Sequence, residues 1–98
     1  MKWHIQAAAE AEVEEATRWY EAIREGLGAE FLDEFYAGIQ RIAEFPHAWH
    51  PLGGSTRQHR LNRFPYGIIY QVREDEIVVF AVAHLHRQPG YWQKRTDE

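Results

Sequence analysis

The stretch YGIIYQVREDEIVVFAVAH, residues 66–84, determines how the rest of the chain folds. Two apolar runs, residues 66–72 and 77–84, flank the acidic segment 73–76, and this arrangement predicts a β-hairpin with a tight turn. The second run is apolar at consecutive positions, which is typical of a strand that is covered on both faces. We therefore expect residues 77–84 to form a central strand.

The segments before this hairpin alternate between strand and loop patterns. HRLNRF, residues 59–64, alternates as a strand does, and Pro65 marks an edge or a bend because it has no amide hydrogen to donate. PHAWHPLGGSTRQ, residues 46–58, has two prolines, two glycines and no periodicity, so it predicts a loop. KWHIQ, residues 2–6, alternates and predicts a short strand at the start of the chain.

Two amphipathic helices fill the interval between the first strand and the loop. The first runs from Ala7 to about Glu25, where the EGLG segment ends it with Gly26 or Gly28 in the left-handed conformation. The second runs from about Glu30 to Glu44. The apolar stripes are Val13, Ala16, Tyr20, Ile23 and Leu27 in the first helix and Phe31, Phe35, Ile39 and Ile42 in the second.

The predicted order of elements is β-α-α-β-β-β. Helices joined by a short glycine turn form an antiparallel hairpin, which packs its apolar stripes on one face of a sheet. The fold class is therefore α+β, with an N-terminal helical hairpin on a mostly antiparallel sheet. A chain of 98 residues has room for one core, so we expect residues 1–98 to form one domain.

The composition narrows the function classes. The chain has no cysteine, which excludes disulfides and thiolate metal sites. It shows no signal peptide and no apolar run of about 20 residues, so we expect a cytoplasmic protein without membrane contact. Residues 1–50 carry four basic and ten acidic side chains, and residues 51–98 carry seven and five. The net charge of −4 disfavours a dedicated nucleic-acid binder.

The segment HLHRQPGYW, residues 84–92, has three interpretations. It can terminate the central strand, with Arg87 paired to a helix acid such as Glu14 or Glu15 and Trp92 capping the core. It can also be catalytic, because His84 and Arg87 suit phosphate chemistry. The metal interpretation would use His84 and His86 with His47 and His50, but the spacing matches no zinc pattern, and we predict no metal site.

Four further residues are candidates for contact with a partner. Arg60 and Arg63 are three positions apart, so a regular strand would place them on opposite faces and expose one of them to a partner carboxylate. Trp19 and Tyr36 lie beside the helix stripes and can anchor a partner helix between the hairpin and the sheet. The alternative for the helix hairpin is an ordinary solvated acidic surface.

Four segments together resemble a known family. They are EEATRWYEAIREGLGAEFLDEF (14–35), RIAEFP (41–46), RLNRFPYGIIYQV (60–72) and VVFAVAHLHRQPGYW (78–92). In this order and length they resemble the RelE/ParE superfamily of type II toxin–antitoxin toxins, most closely its ParE-like, plasmid-stabilisation branch. The resemblance implies a toxin that a small antitoxin wraps and neutralises, and a complex that contacts operator DNA only through the antitoxin.

The resemblance to ParE implies inhibition of DNA gyrase by binding, without a cofactor. The residues expected to contact partners are Trp19, Tyr36, Arg60, Arg63, His86, Arg87 and Trp92. The alternative is a RelE-like, ribosome-dependent mRNA endonuclease that uses Arg60, Arg63, His84 and Arg87. Against it, an ungapped placement puts Trp92 rather than Tyr91 on the late tyrosine of such nucleases, and the chain has only two lysines. A third possibility is a member that binds an antitoxin but is not toxic.

Overall fold

The computed structural model describes residues 1–96 and contains five strands, two α-helices and a final 3₁₀ helix. The elements are β1 (Lys2–Ile5), α1 (Ala7–Ile23), α2 (Leu27–Glu44), β2 (His50–Gly53), β3 (Thr56–Arg60), β4 (Tyr66–Arg73), β5 (Glu76–His84) and the 3₁₀ helix (Gln93–Thr96). The strands form one sheet in the order β1-β5-β4-β3-β2. β1 is parallel to β5 and every other pair is antiparallel, so the predicted α+β class is confirmed with one additional strand.

The predicted β4–β5 hairpin forms with a two-residue turn. Glu74 and Asp75 have φ values of 51° and 61°, and Arg73 pairs with Glu76. Positive φ at both central positions gives the turn the twist that matches the two strands. The polar turn therefore sets the register in which the apolar residues of β4 and β5 meet.

A β-bulge interrupts this hairpin in β5. Ile69 pairs with Ala81 and Tyr70 with Val79, which leaves Phe80 as an extra residue without a partner across the ladder. A bulge of this kind bends the strand and redirects its side chains. Beyond it, the outer edge of β5 is no longer covered by the short strand β1, and other groups contact its backbone.

Both faces of β5 are covered, as the apolar run predicted, but by different parts of the chain. The face toward the helices belongs to the main core of Ala9, Val13, Ala16, Phe31, Phe35, Ile39, Ile42, Leu61, Phe64, Ile68, Tyr70, Ile77, Val79 and Val82. On the opposite face, Trp92 packs against Ile69, Ala81 and Ala83. The C-terminal segment thus supplies the second cover.

The prediction of a loop over residues 46–58 was wrong, because this stretch contains β2 and most of β3. β2 has the sequence HPLG, and all four of its residues are exposed. Such a strand has no apolar alternation to detect, and proline is tolerated because β2 lies at the edge of the sheet. The strand predicted at residues 59–64 is likewise displaced: β3 ends at Arg60, and a bend follows.

The helix boundaries also differ from the prediction. α1 ends at Ile23, which is exposed rather than part of a buried stripe, and α2 begins three residues early at Leu27. Gly26 takes the left-handed conformation with φ of 89°. Glycine is required at position 28 for a steric reason, because a Cβ atom there would lie 2.8 Å from the backbone oxygen of Thr17. Gly28 therefore permits α1 and α2 to approach closely at the turn.

We expect Gly28→Val to lower the free energy of unfolding by about 1–2 kcal/mol, because the side chain would force the two helices apart. Chemical denaturation would measure the change. Ala29→Val is the matched control, since Ala29 is the next residue of α2 and is exposed. Equal stability of the two variants would contradict the close approach as the reason for glycine.

Candidate functional site

The segment after β5 is tied to the end of the strand. The Arg87 amide donates to the His84 carbonyl at 3.0 Å, and the Leu85 amide donates to the Pro65 carbonyl at 2.8 Å. The Nδ1 atom of His84 accepts a hydrogen bond from the His86 amide at 3.1 Å. Residues 84–87 thus form a turn that satisfies the backbone groups at the strand end, as the first interpretation of this segment predicted.

Glu12 of α1 holds the C-terminal segment and the bulged strand together. Its carboxylate accepts hydrogen bonds from the Val82 amide at 2.9 Å and the Tyr91 hydroxyl at 2.6 Å. Arg95 donates to both carboxylate oxygens, at 3.0 and 3.2 Å. We call these four residues the Glu12 cluster. The Glu12 side chain is only 14% exposed, so this carboxylate is largely buried between helix, strand and tail.

The predicted pairing of Arg87 with an acid of the first helix is confirmed, but the partner is Glu12 rather than Glu14 or Glu15. Arg87 Nη1 lies 3.6 Å from Glu12 Oε2, and its guanidinium stacks over the Tyr91 ring at 3.8 Å. Glu14 and Glu15 are exposed on α1, whereas Glu12 lies on the side of the helix that faces β5.

Tyr91 is poorly suited to proton transfer. Burial raises its pKa well above the usual value of 10, and its hydrogen bond to the Glu12 carboxylate raises the pKa further. An effective acid or base has a pKa near the working pH. The hydroxyl therefore keeps its proton at neutral pH and donates a hydrogen bond to the Glu12 carboxylate.

Three of the four residues proposed for a nuclease lie around one small cavity. Arg60, His84 and Arg87 line a depression of about 220 Å³, the sheet pocket, on the face of the sheet that Trp92 covers. Arg63 is not among its lining residues.

Arg63 instead contacts the start of the second helix. Its Nη2 donates to Glu30 Oε1 at 2.8 Å, and its amide donates to Glu34 Oε2 at 2.8 Å. The strand ends at Arg60, so the predicted alternation between Arg60 and Arg63 across a regular strand was wrong. Both arginines are exposed, but Arg63 is already paired within the chain.

Trp19 and Tyr36 are strongly exposed, at 65% and 50%, and lie in two different depressions beside α1. Trp19 lines a cavity of about 520 Å³, the outer groove, which also includes Tyr66, His84 and Arg87. Tyr36 lines a cavity of about 400 Å³, the hairpin groove.

The hairpin groove is the more apolar of these two depressions. Its lining residues include Trp3, Ile5, Val13, Leu32, Phe35 and Tyr36. The Trp3 and Tyr36 rings meet edge to face at 6.3 Å, and Phe35 lies 5.2 Å from Tyr36. Exposed aromatic rings over an apolar floor are typical of protein interfaces.

The remaining predicted contact residues differ in accessibility. His86 is exposed, and its ring lies 5.1 Å from that of His84. Trp92 is only 9% exposed and belongs to the second core, which leaves little of its side chain for a partner.

A further cavity of about 520 Å³, which sequence reasoning missed, lies between α2 and β3. Arg41, Trp49 and His59 line it, and we call it the donor pocket. His59 is 5% exposed, and its ring meets that of Trp49 at 4.3 Å. Within residues 1–96, Arg41 Nη1, Trp49 Nε1 and both His59 ring nitrogens are buried without a hydrogen-bond partner. Such orphaned buried groups are rare in folded proteins.

The environment of His59 predicts loss of stability in acid. Burial and the nearby charge of Arg41 lower the pKa of His59 below its usual value of 6.5. The unfolded chain therefore binds the proton more readily, and the contribution of the neutral imidazole declines as the pH falls below about 6.5 toward the folded pKa. We expect His59→Gln to lose less stability than the wild type between about pH 7 and pH 5. Chemical denaturation at each pH measures the free energy of unfolding, with the exposed His47→Gln as control. An equal dependence of this free energy on pH in the wild type and in His59→Gln would contradict the expectation.

The described part of the chain also bears on two other classes of site. No group of three or more His, Asp or Glu residues there could hold a metal ion. No helix in residues 1–96 is long and apolar enough to span a bilayer.

Comparisons with known proteins agree with this architecture. The family model described as ParE toxin of type II toxin–antitoxin system, parDE, matches residues 4–89. A chain of the chromosomal ParDE TA system from P. aeruginosa matches with a TM-score of 0.78 and 13% identity, covering 88% of this chain and 97% of that chain. No curated protein matches. The structural match supports the fold, and the family model spans most of the sequence: the chain belongs to the ParE toxin family of type II toxin–antitoxin systems.

Proposed function

We propose that this chain is a ParE-like toxin that inhibits DNA gyrase by binding and that a cognate antitoxin neutralises it. The observation that carries the proposal is the ParE family match over residues 4–89, taken together with the state of the polar C-terminal residues. Tyr91 and Arg95 donate hydrogen bonds to Glu12, and His84 Nδ1 accepts a hydrogen bond from a backbone amide. Side chains with these internal contacts support a binding surface better than a catalytic centre.

The antitoxin is expected to contact the grooves beside α1. The outer groove and the hairpin groove both include Arg18, so they are adjacent along the helix. Trp19 and Tyr36 present large rings there, and an amphipathic helix can bury such rings with its apolar face. On this proposal the toxin acts in the cytoplasm, and operator DNA is contacted through the antitoxin in the complex.

One observation favours a second candidate, a RelE-like mRNA endonuclease. Arg60, His84 and Arg87 line the same sheet pocket, and two guanidinium groups beside an imidazole can stabilise charge on a phosphate. The polar contacts of His84 and the high pKa of Tyr91 favour the gyrase proposal over this one.

Induced expression in a bacterial host, with DNA, RNA and protein synthesis followed separately by pulse labelling, tests both candidates. The gyrase proposal expects DNA synthesis to stop first and purified gyrase to lose supercoiling activity in the presence of the protein. Protein synthesis that stops first, with cleaved ribosome-bound mRNA, would overturn it in favour of the nuclease.

The double variant Arg60→Ala with Arg87→Ala separates the two candidates further. A nuclease would lose mRNA cleavage by about two orders of magnitude or more, because both phosphate-stabilising charges are removed. Arg63→Ala is the matched control, since Arg63 is an exposed arginine outside the sheet pocket. Cleavage that persists in the double variant would exclude the sheet pocket as its site.

A further inference from the structure

We infer that the donor pocket is a binding site for a carboxylate group. The pocket lies on the side of the molecule where α2 packs over β3, and Arg41, Trp49 and His59 line it. None of its lining residues is acidic. In a chain with 15 acidic and 11 basic residues, a pocket with two arginines and no carboxylate lacks the acceptor that its donors require.

The geometry of the pocket indicates hydrogen-bond donation. The indole Nε1 of Trp49 and the guanidinium Nη1 of Arg41 can only donate, and both atoms are buried without a protein partner among the described residues. His59 is more than nine-tenths buried, and neither of its ring nitrogens has such a partner. A neutral imidazole adds one donor and one acceptor to this set.

The charge of the pocket favours a carboxylate over a phosphate. Burial and Arg41 lower the pKa of His59, so at neutral pH the deep part of the pocket carries the single charge of Arg41. One guanidinium matches one carboxylate, with which it forms charge-assisted and often paired hydrogen bonds. Arg60, the other lining arginine, is exposed. The net charge of −4 also disfavours a long polyanion such as RNA.

The carboxylate can come from an Asp or Glu side chain or from a chain terminus. In either case the acceptor oxygens are the same, and the inference does not depend on which cellular target the protein has. The cavity of about 520 Å³ is large enough for one such carboxylate group. The donor pocket is also separate from the two grooves beside α1, because none of its lining residues belongs to them.

The test is an NMR titration of the isolated chain with sodium acetate. The readout is the set of four indole N–H signals, and the Trp49→Phe variant assigns the signal of Trp49. Sodium chloride at equal ionic strength controls for salt, and inorganic phosphate is the competing probe. We expect acetate to shift the Trp49 signal with saturation, and Arg41→Gln to weaken this binding about tenfold or more. Arg24→Gln, which removes an exposed arginine of the α1–α2 turn, should leave it unchanged.

Two outcomes would overturn the inference. The first is a Trp49 signal that acetate moves no more than chloride does. The second is phosphate binding at least tenfold tighter than acetate, which would assign the pocket to nucleic acid or a phosphorylated ligand. The dispersion of each spectrum reports whether the variant is folded, and Arg41→Lys replaces Arg41→Gln if the latter unfolds, because lysine lacks the planar pair of donors.

Discussion

Glu12→Ala is expected to lower the free energy of unfolding by about 3 kcal/mol, because removal of one partner from a buried ion pair leaves the other charge uncompensated. The variant would leave the Arg95 guanidinium, the Tyr91 hydroxyl and the Val82 amide without their shared hydrogen-bond acceptor. The value lies at the lower end of the range for buried pairs because the Arg95 side chain is 24% exposed and water can partly replace the carboxylate.

The loss of stability should be concentrated in the C-terminal segment. Trp92 covers Ile69, Ala81 and Ala83, and Glu12 is the helix residue that holds the adjoining Tyr91 and Arg95 in place. Amide hydrogen exchange in the variant should therefore accelerate most at Val82 and in residues 91–96. Glu12→Gln, which keeps an acceptor oxygen but loses the charge, should give an intermediate loss.

Chemical denaturation measures the global effect, and Glu14→Ala is the matched control. Glu14 is an exposed residue of the same helix, and substitutions at such positions usually change stability by less than about 0.5 kcal/mol. A Glu12→Ala variant as stable as this control would mean that the Glu12 cluster does not anchor the C-terminal segment.

The sequence predicted the parts of the fold that are set by periodicity. Residues 66–84 specify the hairpin locally, because two apolar runs and a polar turn leave one register. The helix stripes place Phe31, Phe35 and Ile39 in the core, as expected. β2 escaped detection because an exposed edge strand buries nothing and so imposes no pattern on its side chains.

The site was less predictable because its contacts join distant parts of the chain. Glu12 is 70 residues from Val82 and 83 from Arg95, and no local rule connects them. One signal was present: Glu12 lies three positions after Ala9 and directly before Val13, so it interrupts the buried side of α1. A charged residue at such a position predicts a buried partner, although the sequence does not identify which residue that partner is.

Tyr36→Ala is expected to weaken binding of the cognate antitoxin by about 30-fold or more, which corresponds to about 2 kcal/mol. The expectation rests on the proposed role of the hairpin groove. The Tyr36 ring is half exposed, and its contacts with Trp3 and Phe35 fix its position before a partner arrives. A prepositioned aromatic ring loses little conformational freedom on binding, so most of its buried area contributes to affinity.

Phe45→Ala provides the matched control, because Phe45 is an aromatic residue of similar exposure that caps the C-terminal end of α2, outside the hairpin groove. Calorimetric titration of each folded variant with the antitoxin would give the dissociation constants, and Trp19→Ala tests the outer groove in the same way. If both Tyr36→Ala and Trp19→Ala bind as the wild type does, the antitoxin does not use the grooves beside α1. If Trp19→Ala alone weakens binding, the outer groove is the anchor, because the two rings lie in separate depressions and their effects on affinity can be measured independently.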